Sequence, residues 1–246
     1  MNMQMEYNDF SLAAMFAERR HMTEKRYEYN EFGERMYPDF VKEAQAAYQV
    51  NGDVLLRQLL LKKQGEYTIE DYYALPDECR VELIDGVIYN MAAPSARHQA
   101  VCGELFFRFR QYIMERKGKC FPFMSPINVQ LDEDDKTMVQ PDMIVTCRRD
   151  KIREKVFYGA PDMVIEVLSP SNRPKEQQIK YHKYKNAGVR EYWVVHPDRK
   201  QVTVNDFEGN KEPVVYSFQD KIPIHIFHGE LEIDFAEIYQ EISFLY

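Results

Sequence analysis

The chain reads as a mixed α/β fold, a mixed sheet with helices packed against it. Two observations carry this reading. Short apolar runs rich in β-branched residues, Val139–Thr146 and Pro161–Ser169 above all, have the length and composition of buried strands. Other stretches place apolar residues three and four apart, the spacing of amphipathic helices. Their order is helix, three strands, helix, strand, which requires helices lying on a sheet. The unit from 162 to 196 should be a right-handed crossover joining parallel strands.

Residues 1–65 are set apart from the rest as a helical N-terminal extension, rich in Met, Tyr, Glu and Arg and without strand-like runs. Phe10–Ala17 and Phe40–Tyr48 have helical composition, and Val54–Leu61 is a compact apolar helix that Gly65 can end as a C-cap. No helix-turn-helix pattern stands out there. The main domain spans 66–246. Thr68 is placed to cap a short helix, with Asp71 in the capping-box position, and Pro76 ends it. Val81–Tyr89 forms two strands around Asp85-Gly86, a hairpin turn signal. Ser95 caps a long helix from Arg97 to Lys117, whose apolar face is Val101, Leu105, Phe109, Tyr112 and Ile113.

Three strands follow, near 126–131, 139–146 and 162–168. Asn172 precedes a second helix over 174–187 that Gly188 ends. Glu191–His196 is an apolar strand stopped by Pro197. Val202–Phe207, Val214–Phe218 and Ile222–Phe227 make a small antiparallel C-terminal β addition, and a last helix begins near Asp234.

Composition narrows the function classes. The 246 residues are 45% hydrophobic and 29% charged, a soluble globular balance. No apolar run approaches the ~18 residues of a membrane span. The N-terminus lacks the basic-then-apolar pattern of a signal peptide, so a cytoplasmic protein with no membrane partner is expected. Cys79, Cys102, Cys120 and Cys147 are scattered, which predicts reduced thiols and neither a zinc site nor a disulfide framework. A formal net charge of −8 argues against nucleic-acid binding through overall charge. It leaves open an enzyme that acts on nucleic acid, since local patches and a bound cation set the field at a site.

The two strand runs each contain a carboxylate that a buried strand should not tolerate, Asp142 and Glu166. An ionised carboxylate in a core costs several kcal/mol unless paired. Two on neighbouring strands repel, and a hard divalent cation removes that conflict by taking their oxygens. The pair therefore suggests a site for magnesium, with manganese as a substitute. The plainer reading is two strand-end carboxylates paired with Lys or Arg. On the following helix Lys180, Lys183 and Tyr184 share a face at i, i+3 and i+4. A lysine there can approach the carboxylates and stabilise the charge that develops in phosphodiester hydrolysis. Tyr181, Tyr184, Tyr192 and Trp193 read as helix-on-sheet packing. His225-x-x-His228 is set aside as a metal pair, because alternation on a strand points the two rings to opposite faces.

Taken together these residues resemble the PD-(D/E)XK nuclease superfamily, and more narrowly the Uma-type restriction endonuclease family of bacteria. The segments that carry the likeness are Glu82-Leu-Ile-Asp-Gly86, His98, Gln140-Pro-Asp142, Glu166-Val-Leu-Ser-Pro-Ser171, Lys180 with Tyr184, and Gly188-Val-Arg-Glu-Tyr-Trp193. They run from about Tyr67 to the C-terminus and leave out the extension. The resemblance implies a restriction-endonuclease-like αβββαβ core and a metal-dependent DNA endonuclease, with magnesium at Asp142 and Glu166. Leu168 stands where the superfamily pattern has lysine, and Lys180 is the candidate replacement. Glu176 stands where aspartate is expected. Glu82 is a candidate further carboxylate of the site, and His98 a candidate to bind a phosphate or orient a water.

Two basic stretches are expected to flank the site. Arg148–Lys155 has five basic and two acidic residues, and Arg173–Lys185 five basic and one acidic. Arg173 and Lys183 are thus candidate phosphate contacts on DNA. A homodimer is expected by analogy with folds that cut both strands. Two other readings stay open: a non-catalytic nucleic-acid or protein-binding module on the same fold, and an enzyme for another phosphorylated substrate.

Overall fold

The computed structural model describes residues 62–75, 80–131, 134–154, 156–169 and 174–246. The helices expected before Leu61, and the roles given to Pro76, Asn172 and Arg173, lie outside the described residues. These residues form two compact units. One holds the described chain up to Met91 together with Asp135–Thr137, and the other holds Ala92–Asp134 with Met138–Tyr246.

In the first unit, α1 (Ile69–Tyr73) starts at the predicted cap. The Thr68 hydroxyl accepts the Asp71 N–H, and the Asp71 carboxylate accepts the Thr68 N–H at 2.8 Å. Strands β1 (Val81–Ile84) and β2 (Val87–Asn90) pair antiparallel. Asp85 and Gly86 turn between them with φ of +51° and +74°, the two left-handed residues of a tight hairpin. Position 86 needs glycine for a second reason: a Cβ there would lie 2.4 Å from the Gly65 carbonyl oxygen.

The second unit is built on a six-stranded mixed sheet in the order β10-β9-β8-β7-β5-β3. These strands are β3 (Phe121–Met124), β5 (Met143–Thr146), β7 (Met163–Val167), β8 (Glu191–His196), β9 (Gln201–Asp206) and β10 (Val214–Ser217). As expected, β7 and β8 are parallel and joined by a helix, α3 (Pro174–Ala187), while the other neighbours are antiparallel. The long helix α2 (Ala96–Glu115) is capped by Ser95. Its Val101, Leu105, Phe109 and Ile113 join Met143, Val145, Met163, Ile165 and Trp193 in one buried cluster. Each such side chain adds about 2 kcal/mol of burial. Strand alternation turns Ile144, Val164 and Tyr192 to the other face, where α3 lies: the Tyr184 ring packs 5.1 Å from Tyr192, and Tyr181 lies 5.3 Å from Phe207. The sheet is thus covered on both faces, and Gly188 ends α3 at φ +94°. Among the described residues no helix is long and apolar enough to cross a membrane.

Several expectations need correction. The strand placed at 126–131 is the short β4 (Asn128–Gln130), which leaves the main sheet and pairs in parallel with β6 (Val156–Tyr158), and β3 ahead of it was not expected. Of the C-terminal addition, β9 and β10 pair antiparallel as expected and join the main sheet at β8. The run Ile222–Phe227 does not continue as a strand. β11 (Lys221–Pro223) pairs with β12 (Glu232–Asp234), and His225–Phe227 is a 3-10 turn followed by His228 at φ +56°. Residues i and i+3 eclipse in a 3-10 turn, so the opposite-face argument against the two histidines fails. Both line one pocket with Asp206, Glu208 and Lys211. Cys120 and Cys147 form a disulfide, against the expectation of reduced thiols. They are brought together because β3 and β5 place Phe121 opposite Thr146, and the next pair outward is these cysteines. Cys102 is buried and free. The last helix, α4 (Phe235–Ile242), begins as predicted, with Asp234 accepting the N–H groups of Ala236 and Glu237.

Candidate active site

The antiparallel register of β5 and β7 sets Met143 opposite Ile165. One step back, Asp142 lies opposite Glu166, at the end where β5 begins and β7 finishes. Asp142 follows Pro141 and retains 16% side-chain exposure, while Glu166 is buried. The two carboxylates thus come together through pairing alone, from positions 24 residues apart in the chain.

Three side chains meet them from the helical layers. From α3, the Lys180 ammonium donates to Glu166 Oε1 at 2.9 Å, and the Tyr184 hydroxyl donates to the same oxygen at 2.7 Å. From the first turn of α2, His98 Nε2 lies 3.1 Å from Asp142 Oδ2. That oxygen also accepts the Val167 N–H at 2.8 Å. The i, i+4 neighbour of His98, Cys102, puts its sulfur 3.7 Å from Nδ1. Burial pulls the His98 pKa down, but the hydrogen bond to Asp142, the charges of Asp142 and Glu166 and the Val167 backbone outweigh it, so the pKa rises above the ordinary histidine value. Burial, with the same two charges, pushes the Cys102 thiol far up and keeps it protonated.

Glu82 is buried on β1 of the first unit, opposite Tyr89. Lys183 is half-buried on α3, one turn beyond Lys180. Leu168 continues the sheet, its N–H donating to the Val195 carbonyl at 2.8 Å. With Glu176 in its first turn, α3 keeps the expected bounds. Of the first basic stretch, the described residues Arg148–Glu154 do not flank the cluster: they leave β5 at the end away from Asp142, where the Cys147 N–H donates to Asp162. Sequence reasoning missed the Tyr184 hydroxyl as a Glu166 partner, having read that ring as packing. It also missed Cys102, although the i, i+4 spacing to His98 was available.

Among the described residues no three or more His, Cys, Asp or Glu side chains gather as a metal-holding group. Two opposed carboxylates nevertheless suit magnesium, which keeps several waters and binds through one or two carboxylates plus substrate phosphates. Their hard oxygen donors fit that ion and disfavour a soft one.

A mixed sheet that gathers two opposed carboxylates and a crossover-helix lysine at its end has the frame of a nuclease-type α/β protein. The family model that matches residues 69–236 is Uma2, described as "Putative restriction endonuclease", and the chain belongs to that family. Among solved structures it is similar to "a putative nuclease belonging to DUF820" from Anabaena variabilis ATCC 29413. That likeness has a TM-score of 0.61 at 22% identity and covers 70% of this chain and 97% of that one, so it is a likeness of fold. No curated protein matches the chain in sequence. The resemblance read from the motifs and the nuclease-like mixed α/β fold both hold, and family membership supports a hydrolytic nuclease.

Proposed function

We propose that the protein is a metal-dependent DNA endonuclease that hydrolyses phosphodiester bonds, with magnesium or manganese held by Asp142 and Glu166. The observation that carries this reading is Lys180, whose ammonium reaches Glu166 from α3 at the strand end where Asp142 stands opposite. A divalent cation at such carboxylates supplies Lewis-acid stabilisation of phosphate charge and makes water a better nucleophile. Lys180 places a fixed positive charge beside the cluster, where the added negative charge of the phosphoryl oxygens would be met. It takes the part that Leu168 cannot. Tyr184 and His98 hold the two carboxylates in place by hydrogen bonds. Lys183, on the same helix, extends the positive charge towards a DNA backbone on an otherwise acidic protein. A homodimer belongs to the same reading, and a strictly monomeric sizing profile would remove it.

The test is calorimetric titration of magnesium and manganese into the wild type and Asp142→Ala/Glu166→Ala, with plasmid nicking on the same samples. Metal binding and nicking should both vanish in the double variant. Metal binding without nicking would move the search to other phosphorylated substrates. A wild type that binds neither metal would overturn the reading and favour a binding module.

A further inference from the structure

His98 was singled out as a phosphate or water ligand, but its surroundings give it another task. The residue is 7% exposed. Its backbone N–H donates to the capping Ser95 hydroxyl at 3.1 Å, which fixes where the ring leaves the helix. Both ring nitrogens then face protein groups: Nε2 meets Asp142 Oδ2 at 3.1 Å, and Nδ1 meets the Cys102 sulfur at 3.7 Å. A ring engaged on both sides inside the fold is poorly placed to take a phosphate.

We infer that His98 is a positioning residue for Asp142, and that the Asp142 carboxylate in turn sets the tautomer of the ring. An ionised carboxylate can only accept, so the neutral ring carries its proton on Nε2 and donates it to Asp142, which leaves the Nδ1 lone pair to receive the Cys102 thiol proton. Asp142 Oδ2 then receives two donors, this imidazole and the Val167 N–H, while Oδ1 takes part in neither bond. Two donors on one oxygen fix the plane of the carboxylate. The arrangement mirrors Glu166, whose Oε1 receives Lys180 and Tyr184. α2 thus orients one carboxylate and α3 the other, from opposite faces of the sheet. Such outer partners of a metal-holding carboxylate commonly change affinity by about 10–100-fold. The functional meaning of this inference rests on the metal reading above.

Long-range 15N spectra of the imidazoles in the metal-free wild type report which nitrogen carries the proton. The neutral His98 ring should be the Nε2–H form and stay so in Cys102→Ala, while Asp142→Asn, whose amide can donate instead, should let the other tautomer appear. Manganese titrations into the wild type, His98→Ala and His98→Gln form the second readout, with thermal melts alongside. His98→Ala should bind manganese about 10–100-fold more weakly. His98→Gln, which keeps an N–H donor, should recover part of that loss even if both variants melt alike. An Nδ1–H ring, or a manganese affinity unchanged in His98→Ala, would overturn the inference. So would weaker duplex binding by His98→Ala in EDTA with a salt slope lowered by about one, the mark of a phosphate contact. If the wild type binds no manganese, the metal reading falls on its own, and the tautomer alone decides whether His98 serves Asp142.

Discussion

The sheet of the second unit carries a pair of opposed carboxylates at each end. Asp142 and Glu166 face each other across β5 and β7, and Glu191 and Asp206 face each other across β8 and β9. Strand geometry treats the pairs alike, yet their partners differ in kind. Fully buried Glu191 accepts the Trp193 indole N–H at 2.7 Å and the Ile226 N–H at 3.0 Å. Burial pushes its pKa up to about 7, against the pull of those hydrogen bonds. Asp206 accepts the Gly209 N–H at 2.8 Å and pairs with Lys211 at 3.0 Å. Burial raises its pKa, but the Gly209 N–H, Lys211 and His225 outweigh it and hold it below the ordinary aspartate value. The far pair therefore fastens two connecting segments to the sheet, largely through backbone N–H groups. The near pair meets side chains of two helices, one of them cationic. Opposed carboxylates do not by themselves define a reactive centre; the donors that reach them decide their use.

The comparison can be broken most directly with matched substitutions. Glu166→Gln should lower plasmid nicking by about a hundredfold or more, while Glu191→Gln leaves the rate within about twofold. Equal losses would erase the distinction between the two ends. Next in size, Lys180→Met should cost about 10–100-fold in nicking, because the ammonium is placed to act on charge that appears during reaction.

A third measurement sharpens the far end. The Glu191 carboxyl binds its proton more tightly in the folded chain, at about 7 against an ordinary 4.5. Its contribution to stability is therefore full below about 4.5 and is lost as pH rises through about 7. Denaturant melts should show the wild type losing up to about 3 kcal/mol across that window, and Glu191→Gln should flatten this slope. A wild-type profile that rises through the window would contradict the burial argument. The smallest effect belongs to Arg190, which bridges Asp162 and the exposed Glu208. Arg190→Ala should cost under about 1 kcal/mol in a melt and leave nicking unchanged.

Much of the near end was legible in the sequence because Asp142 and Glu166 interrupt apolar runs, and because caps such as Ser95 and Gly188 mark helix ends locally. The same rule could have flagged Glu191. It opens its run rather than interrupting it, and its partner Ile226 lies 35 residues downstream, where no local pattern points to it. β3 escaped notice because Pro122 sits inside it, and proline demotes a run to an edge strand, the place β3 takes in the sheet. The turn at His225 looked like strand because Ile222, Ile224 and Ile226 alternate; all three are buried, but the chain beyond Pro223 reaches the core by turning. The Tyr184 hydroxyl was hidden by its ring, since an aromatic residue facing a sheet reads as packing until the sheet presents it with a carboxylate.

The bond from the Val167 N–H to Asp142 Oδ2 gives this molecule a gauge of its own. While the carboxylate keeps its orientation, that amide proton is held from solvent. Anything that swings the carboxylate away frees the proton, and its exchange with deuterated water quickens. A single backbone peak would then register each rearrangement of the cluster, with no label on a nucleic acid and no turnover required.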